Sequence, residues 1–415
     1  MAEIPEIKVK LTELVPSYTL LSEWRQKADA PVVKGKAFNK EIIAMYGTDA
    51  AKKFYDPKNF KREGAMPEVV LNTLFGQDGV QTLDGEEHHH RKNIFMDLMT
   101  PERMDEYHKI LDEKMTEAFE AEQGTFELFG LARKVLFKAI TEWAGINLDD
   151  LTDEEINDLS KYQITMISTS FTSPVDHVKG VSDRKKSEEW AQELIKEARE
   201  NPVPGKEDVA LYAFAEATDL EGELLPVEVA AVELLNIIRP TLALTVWAAL
   251  MGHALFSRED IYNELKGDFD RLQDSFIQEL RRYYPFFPML PAISLREVEV
   301  DGYIIPEDSW VVLDIYGTDH DPRHIENPET FKVDRYVENA RNISYEEEYA
   351  MIAQGGGDFR SMHRCAGEWI TLHTLRVLSD HLVNKFDFTI PDQDFEIPLD
   401  QFPTYPQDGV LLFKD

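Results

Sequence analysis

The sequence has a single cysteine, Cys365, among 415 residues. A lone cysteine cannot form an intrachain disulfide, which excludes the small disulfide-stabilised secreted domains. Cys365 is therefore a buried inert thiol, a nucleophile or a metal ligand. A reducing compartment suits such a chain, and we expect a cytoplasmic location.

Positive charge is also scarce, with 44 lysines and arginines against 78 aspartates and glutamates, a net charge of −34. This balance argues against nucleic acid and anionic membranes as partners. The N-terminus lacks the basic and apolar regions of a secretory signal. The uncharged run from Pro240 to Gly252 is shorter than the ~18 residues of a spanning helix. We therefore predict no membrane segment, and any anionic ligand must be captured by a local cation.

Helical periodicity dominates what is present. SEEWAQELIKEARE has an apolar face at helical spacing, and similar patterns recur around 100–145 and 150–170. Strand signals concentrate in VEVDGYIIPEDSWVVLDIYG, where Asp301-Gly302 predicts a hairpin turn. We predict a mainly α fold with a small antiparallel β-sheet region, in a single domain spanning residues 1–415.

Arg239 is the only lysine or arginine in the longest apolar helix candidate, Val227 to Phe256. Pro240 follows it and should kink the helix, because proline lacks an N–H and clashes with the preceding turn. A buried arginine can pair with a carboxylate of a neighbouring helix. It can also bind an organic acid with an apolar tail, because the guanidinium fork matches a carboxylate. Both interpretations remain open on these residues alone.

Cys365 itself stands in QGGGDFRSMHRCAGEW, after three glycines and several basic residues and before an apolar helical run. Glycines allow a flat ligand to approach the backbone closely. A turn rich in N–H groups at the start of a helix stabilises a thiolate, which suits a nucleophile or a metal ligand. His363 is close in sequence, but adjacency does not establish a catalytic pair. An inert thiol also remains possible from this segment alone.

Three motifs in order resemble those of the cytochrome P450 superfamily. CAG at Cys365 resembles the end of its haem-thiolate loop, and ELRR at Glu279 resembles its Glu-x-x-Arg ion pair. FKVDR at Phe331 resembles a third element, with Val333 in place of a proline. The resemblance implies the cytochrome P450 fold. It places haem b between a long central helix and the cysteine loop, with the Cys365 thiolate as the iron ligand.

Two departures from the superfamily resemble its fatty-acid peroxygenase branch. IRPT from Ile238 to Thr241 replaces the usual acid–alcohol pair, and Asp358 replaces the usual phenylalanine before the cysteine. The segment Gln354 to Trp369 also matches that branch. The likeness runs from about Phe54 to the C-terminus through KREGAMP, TLFG, RRYYPF and YGTDHD.

Membership of that branch implies an enzyme that uses hydrogen peroxide to hydroxylate long-chain fatty acids at the α or β carbon, with no redox partner required. Arg239 would anchor the substrate carboxylate, which would act as the general acid–base. Pro240 would open the helix beside it. The Cys365 thiolate would favour O–O cleavage. Gln81 matches a distal residue that is glutamine in hydroxylating relatives and histidine in an alkene-forming one, which favours hydroxylation.

The resemblance also suggests residues for the pocket and the cofactor. A metal site in the His88-His89-His90 run is unfavourable, because consecutive helical side chains point about 100° apart. The pocket-wall candidates could equally be ordinary core phenylalanines. The predicted pocket walls are Phe75 and Phe286, and the predicted residues for the haem propionates are Arg62, His88, Lys92 and Tyr284.

Three other functions remain open. A decarboxylase of the same fold would form terminal alkenes, and a conventional monooxygenase would need a reductase. A non-catalytic haem or fatty-acid binding protein would use Arg239 only as an anchor. The sequence is compatible with a monomer or a dimer.

Overall fold

The structure is a computed structural model that describes residues 2–8, 17–37, 40–168, 174–284, 286–340 and 349–415. The helices are α1 (Leu20–Ala28), α2 (Thr48–Tyr55), α3 (Glu68–Val70), α4 (Gly85–Leu98), α5 (Pro101–Ala121), α6 (Leu128–Trp143), α7 (Asp153–Ser168), α8 (Pro174–Glu200), α9 (Ala210–Ala215), α10 (Val227–Phe256), α11 (Glu259–Gly267), α12 (Phe269–Tyr283), α13 (Ile315–Asp319) and α14 (Glu368–Asp380). The strands are β1 (Val32–Ala37), β2 (Lys40–Met45), β3 (Phe60–Lys61), β4 (Gly124–Glu127), β5 (Met289–Ser294), β6 (Val298–Val300), β7 (Tyr303–Ile305), β8 (Trp310–Asp314) and β9 (Leu411–Lys414). Short π-helices cover Leu71–Phe75 and His381–Lys385, and a 3-10 turn covers Val80–Thr82.

The predicted helical segments are largely confirmed. The pattern around 100–145 forms α5 and α6, which the short strand β4 separates. The pattern around 150–170 forms α7, although residues 169 and 170 lie outside the described residues. SEEWAQELIKEARE belongs to α8, where Ala191, Ile195 and Ala198 face the core. The prediction of a mainly α fold is therefore confirmed.

The sheet region is larger than predicted and is not purely antiparallel. Its main sheet has the strand order β1-β2-β8-β5-β3, and β2 pairs with β8 in parallel. The strands β1 to β3 come from the first 61 residues, where the sequence carried no strand prediction. The hairpin prediction is confirmed, because β6 and β7 pair across Asp301 and Gly302, both at positive φ. Two positive φ values are what a tight two-residue hairpin turn requires.

The long apolar helix α10 has the predicted bounds and continues through Pro240. It packs against α6 and α8 in the main hydrophobic cluster. By length and composition α10 could cross a membrane, which corrects the prediction that no segment could. However, 89% of its most apolar stretch is buried inside the protein, as expected for a core helix that is apolar on all sides.

The Glu-x-x-Arg prediction is confirmed as a buried ion network. Both side chains of the Glu279–Arg282 pair are 0% exposed, and the closest nitrogen–oxygen distance is 2.7 Å. Arg335 Nε lies 2.8 Å from the Glu279 carboxylate, which also accepts a hydrogen bond from the Lys332 amide at 3.0 Å. Val333, which replaces the family's proline, is buried beside them. One carboxylate thus joins α12 to the segment after Phe331.

We expect stability to fall in mild acid because of His320. Burial, with a smaller contribution from Arg282, lowers its pKa from 6.5 to about 4. The unfolded chain therefore takes up a proton below about pH 6.5 that the folded protein accepts only near pH 4. The thermal midpoint should drop across this window, and less so in His320→Asn. Circular dichroism melts at matched pH values check this, and equal drops in both proteins would contradict it.

Candidate functional site

Arg239 lies deep in the protein without a carboxylate partner among the described residues. Its side chain donates to the Leu74 carbonyl and, at 3.0 Å, to Asn236 Oδ1. Burial, with a smaller contribution from Arg184 and against an opposing effect of Glu233, lowers the pKa of Arg239 to about 9. A structural salt bridge, one of the two interpretations of this arginine, does not occur among these residues. The group is a buried cation with hydrogen-bonding capacity for an anion.

Gln81 belongs to the same polar network as Arg239. Asn236 Nδ2 donates to Gln81 Oε1 at 3.2 Å, while Asn236 Oδ1 accepts from Arg239. Asn236 also donates to Glu233 at 2.8 Å. Sequence reasoning missed Asn236 and Glu233, although both stand within six positions of Arg239. The successive i,i+3 spacing from Glu233 to Asn236 and from Asn236 to Arg239 could have indicated them.

The two phenylalanines predicted as pocket walls have different ring partners. Phe75 ends the π-helix Leu71–Phe75, and its ring centroid lies 5.7 Å from the Arg239 guanidinium. Phe287 packs at 6.5 Å from Phe75, whereas Phe286 stacks on Trp247 at 4.0 Å. Phe75 thus lies beside Arg239, and Phe286 packs on the central helix α10 through Trp247. Their role as walls of a fatty-acid channel stays a prediction.

Helix α4 brings two of the predicted cofactor residues against the cysteine loop. Lys92 Nζ donates to the carbonyls of Arg364 and Met362, and the His88 ring lies 4.0 Å from that of His363. Burial lowers the pKa of His88 well below its usual value. Burial thus disfavours a charged imidazole at His88.

Arg62 lies beside the same loop. Its positive charge adds to the effect of burial, which lowers the pKa of His363 in that loop. Its guanidinium packs 4.0 Å from the Phe54 ring centroid and donates to the Phe54 carbonyl at 3.3 Å. Burial lowers the pKa of Arg62 to about 10 and that of Lys92 to about 8. Two buried cations therefore lie close to the cysteine loop.

The three consecutive histidines of α4 reach different partners, as predicted. His89 Nε2 lies 3.0 Å from the Ser361 carbonyl, and His90 Nε2 lies 2.9 Å from that of Thr218. The described residues contain no group of three or more His, Cys, Asp or Glu side chains able to hold a metal ion.

Tyr284 is the one predicted cofactor residue whose described contacts lie away from the other three. Its hydroxyl lies 2.7 Å from His253 Nδ1, near the end of α10. Its ring packs against Tyr283 and Phe331. No described contact joins it to Arg62, His88 or Lys92, so its role at the propionates stays an unsupported prediction.

The glycine run before Cys365 serves the packing of the loop. A side chain at Gly356 or Gly357 would collide with Tyr349 or Met362, and Gly355 and Gly357 have positive φ. Packing within the loop is thus one reason for these glycines, and their role in making room for a flat ligand stays a prediction. Cys365 N donates to the Gln354 carbonyl at 2.9 Å, which closes the loop before α14.

The Cys365 thiol differs from the sequence expectation in one respect. Burial raises its pKa, while Lys92 and the Gly367 amide oppose the rise. The turn alone therefore does not produce a thiolate. A coordinated metal ion deprotonates a thiol outright, so a thiolate at Cys365 would depend on the iron that the resemblance implies.

A second buried ion network supports this loop and was missed from the sequence. Glu368 pairs with Arg281 at 2.6 Å and with Arg364 at 2.9 Å. Gln354 Nε2 lies 3.9 Å from the Cys365 sulfur and 2.9 Å from Thr371 Oγ1. Arg281 and Glu368 both stand inside the recognised motifs, but a pair 87 positions apart has no local sequence signal.

Comparison with known proteins places the chain in a family. A sequence model described as Cytochrome P450 matches residues 271–413. Cytochrome P450 71D179 of Thymus vulgaris is 32% identical over 117 residues, which cover 28% of this chain and 23% of that protein. The match thus spans about a quarter of the length of that curated relative.

Solved structures match over the full length. Cytochrome P450EX alpha (CYP152N1), solved with myristic acid, is 33% identical with a TM-score of 0.92, covering 100% of this chain and 99% of that one. A phenylalanine-to-alanine variant of cytochrome P450 OleT, solved with arachidonic acid, is 28% identical with a TM-score of 0.92, covering 99% and 98%.

The residues around Cys365 fit haem b. Arg62 and Lys92 are buried cations suited to the two propionates, and the buried Tyr55 hydroxyl has no hydrogen-bond partner among the described residues. Cys365 is the only cysteine in the chain and would supply the thiolate ligand of the haem iron. With its predicted motifs confirmed and its whole length matched, the chain belongs to the cytochrome P450 family, in the CYP152 branch.

Proposed function

We propose that this protein is a peroxygenase that uses hydrogen peroxide to hydroxylate long-chain fatty acids at the α or β carbon. The observation that carries the proposal is Arg239, a buried guanidinium that pairs with no carboxylate of a described residue and lies beside the Phe75 ring. A cation next to an apolar wall suits a ligand with one carboxylate and a long apolar tail. The fatty acids named with the related solved structures support the same ligand class.

Each residue of the site has a distinct task in this proposal. Arg239 binds the substrate carboxylate and sets which carbon reaches the reaction centre. Asn236 orients Arg239 and Gln81, while Phe75 and Phe287 exclude water from the alkyl chain. When bound, haem b supplies the activation of peroxide and the oxidation of the C–H bond.

The anchored carboxylate takes over the proton transfer. The position after Arg239 is Pro240, which has no hydroxyl or carboxylate to move a proton. A carboxylate held by Arg239 can accept a proton from peroxide and return it to the departing oxygen. The overall reaction balances, because the C–H bond gains one oxygen atom and the other leaves as water.

Product analysis tests this proposal. Purified haem-loaded protein is mixed with palmitic acid and hydrogen peroxide, without reductase or nicotinamide, and the products are identified by gas chromatography and mass spectrometry. We expect α- or β-hydroxy acids, and no product from the alcohol of the same chain length. Terminal alkenes would identify a decarboxylase on the same scaffold, and no product at all would favour a reductase-dependent enzyme or a passive binding protein.

A further inference from the structure

Glu233 is a fully buried carboxylate on the same helix as Arg239, and its partner comes from another helix. Arg91 of α4 lies 2.7 Å from Glu233 Oε1, and the Val80 amide donates to the same oxygen at 2.9 Å. A buried carboxylate is tolerated only when it is paired and hydrogen-bonded. Arg91 therefore satisfies a charge that lies close to the substrate anchor.

One amide separates this carboxylate from Arg239. Asn236 Nδ2 donates to Glu233 Oε2 at 2.8 Å, and Asn236 Oδ1 accepts from Arg239 Nη2 at 3.0 Å. Since Nδ2 carries the donors and Oδ1 the acceptor, the carboxylate determines which way the amide faces. Glu233 thereby orients Arg239 without a direct ion pair.

A third guanidinium, that of Arg184, shares a hydrogen-bond acceptor with Arg239. Arg184 of α8 donates to the Leu74 carbonyl at 2.7 Å, and Arg239 donates to the same oxygen. Arg184 also pairs with Glu188 at 2.7 Å. These contacts join three guanidiniums with two carboxylates, which leaves one net positive charge. A single ligand carboxylate would neutralise it.

We propose that Arg91 and Glu233 are positioning residues for substrate binding, in which Arg91 neutralises Glu233 so that Arg239 keeps an uncompensated positive charge for the fatty-acid carboxylate. This inference rests on the proposed function, in which Arg239 anchors that carboxylate. Without Arg91, the charge of Glu233 would act on Arg239 through Asn236 and compete with the substrate. Affinity for acids should then fall, while affinity for uncharged chains should not.

The test compares dissociation constants for palmitic acid and for hexadecanol, both measured from the change in haem absorbance. In Arg91→Gln we expect palmitic acid to bind about tenfold more weakly, because close buried charges couple at least this strongly. Hexadecanol affinity should stay within about twofold. The double variant Arg91→Gln/Glu233→Gln should restore palmitic acid affinity to within about threefold, and Arg91→Lys should retain it. In steady-state assays of Arg91→Gln with palmitic acid, KM should change more than kcat.

Several outcomes would overturn the inference. Equal losses for the acid and the alcohol in Arg91→Gln, or no recovery in the double variant, would mean that Arg91 acts through packing. If Arg91→Gln does not accumulate as holoprotein, Glu233→Gln and the double variant decide. Glutamine keeps an oxygen that can accept from Asn236, so palmitic acid binding more than about threefold weaker in either variant contradicts the proposal.

Arg239→Ala, measured in parallel, separates the two proposals. Unchanged palmitic acid binding in that variant would overturn both the anchoring role and the present inference. Weakened binding there, together with native binding in Arg91→Gln, would overturn the present inference alone.

Discussion

Replacing Arg239 with alanine is expected to lower kcat/KM for long-chain fatty acids by about a hundredfold or more. Truncating one member of a buried charge pair typically costs about 2–5 kcal/mol, and here the other member is the substrate carboxylate. The same group is proposed to carry the proton transfer, so kcat should fall as well as substrate affinity. Steady-state assays with palmitic acid and peroxide, normalised to haem content, check this.

The fold should survive this change. The Leu74 carbonyl keeps its hydrogen bond from Arg184, and Asn236 keeps Glu233 and Gln81. Added guanidinium ion should occupy the vacated volume and restore part of the activity.

Arg133→Ala is the matched control for the Arg239 prediction. It removes another buried arginine, which bonds only to Asn157 and Ser160 in the contacts described. It should leave kcat/KM near that of the native protein. Full activity of Arg239→Ala on palmitic acid would refute the anchoring mechanism.

Replacing Glu279 with alanine is expected to destabilise the protein by about 3–5 kcal/mol, because breaking a buried ion pair leaves uncompensated charge. Arg282 would lose its carboxylate while 0% exposed, and Arg335 would lose the partner that holds its segment to α12. Thermal unfolding and the haem content of the purified protein measure the effect. We expect a large fall in the thermal midpoint and poor haem retention.

The chain offers a matched control in Glu193→Ala. Glu193 and Lys196 have the same i,i+3 spacing as Glu279 and Arg282, but both side chains are largely exposed on α8. Such surface pairs contribute about 0–1 kcal/mol. Similar losses in the two variants would show that burial of the Glu279 network is not what stabilises the protein.

Local patterns were enough to predict much of the helical architecture. The apolar run Val227–Phe256 became α10 with the same bounds, because a helix surrounded by core has no polar face to obscure its ends. The hairpin at Asp301-Gly302 was equally readable, because its turn requires residues that tolerate positive φ. The strands β2 and β3 were missed, because they pair with β8 and β5, which lie far away in the chain, and β1 joins the sheet only through β2.

The candidate site was also predicted only in part from the sequence. Arg239, Gln81 and Phe75 were predicted and share one network of contacts. The Phe287 ring beside Phe75 was not predicted, since the direction of two adjacent rings depends on what packs against them. Tyr284 was assigned to the cofactor, but its hydroxyl bonds to His253.

By itself, the sequence determined the chemistry available to this protein: one cysteine, one cation in an apolar helix, and motifs of the cytochrome P450 family in order. Those features are local, because they depend on residue type and short spacing. Only the tertiary structure decided the electrostatics, in which Arg91 satisfies Glu233 and leaves Arg239 without a carboxylate partner among the described residues. Arg91 and Glu233 are 142 positions apart, and charges at such separation interact only once folding has buried them together.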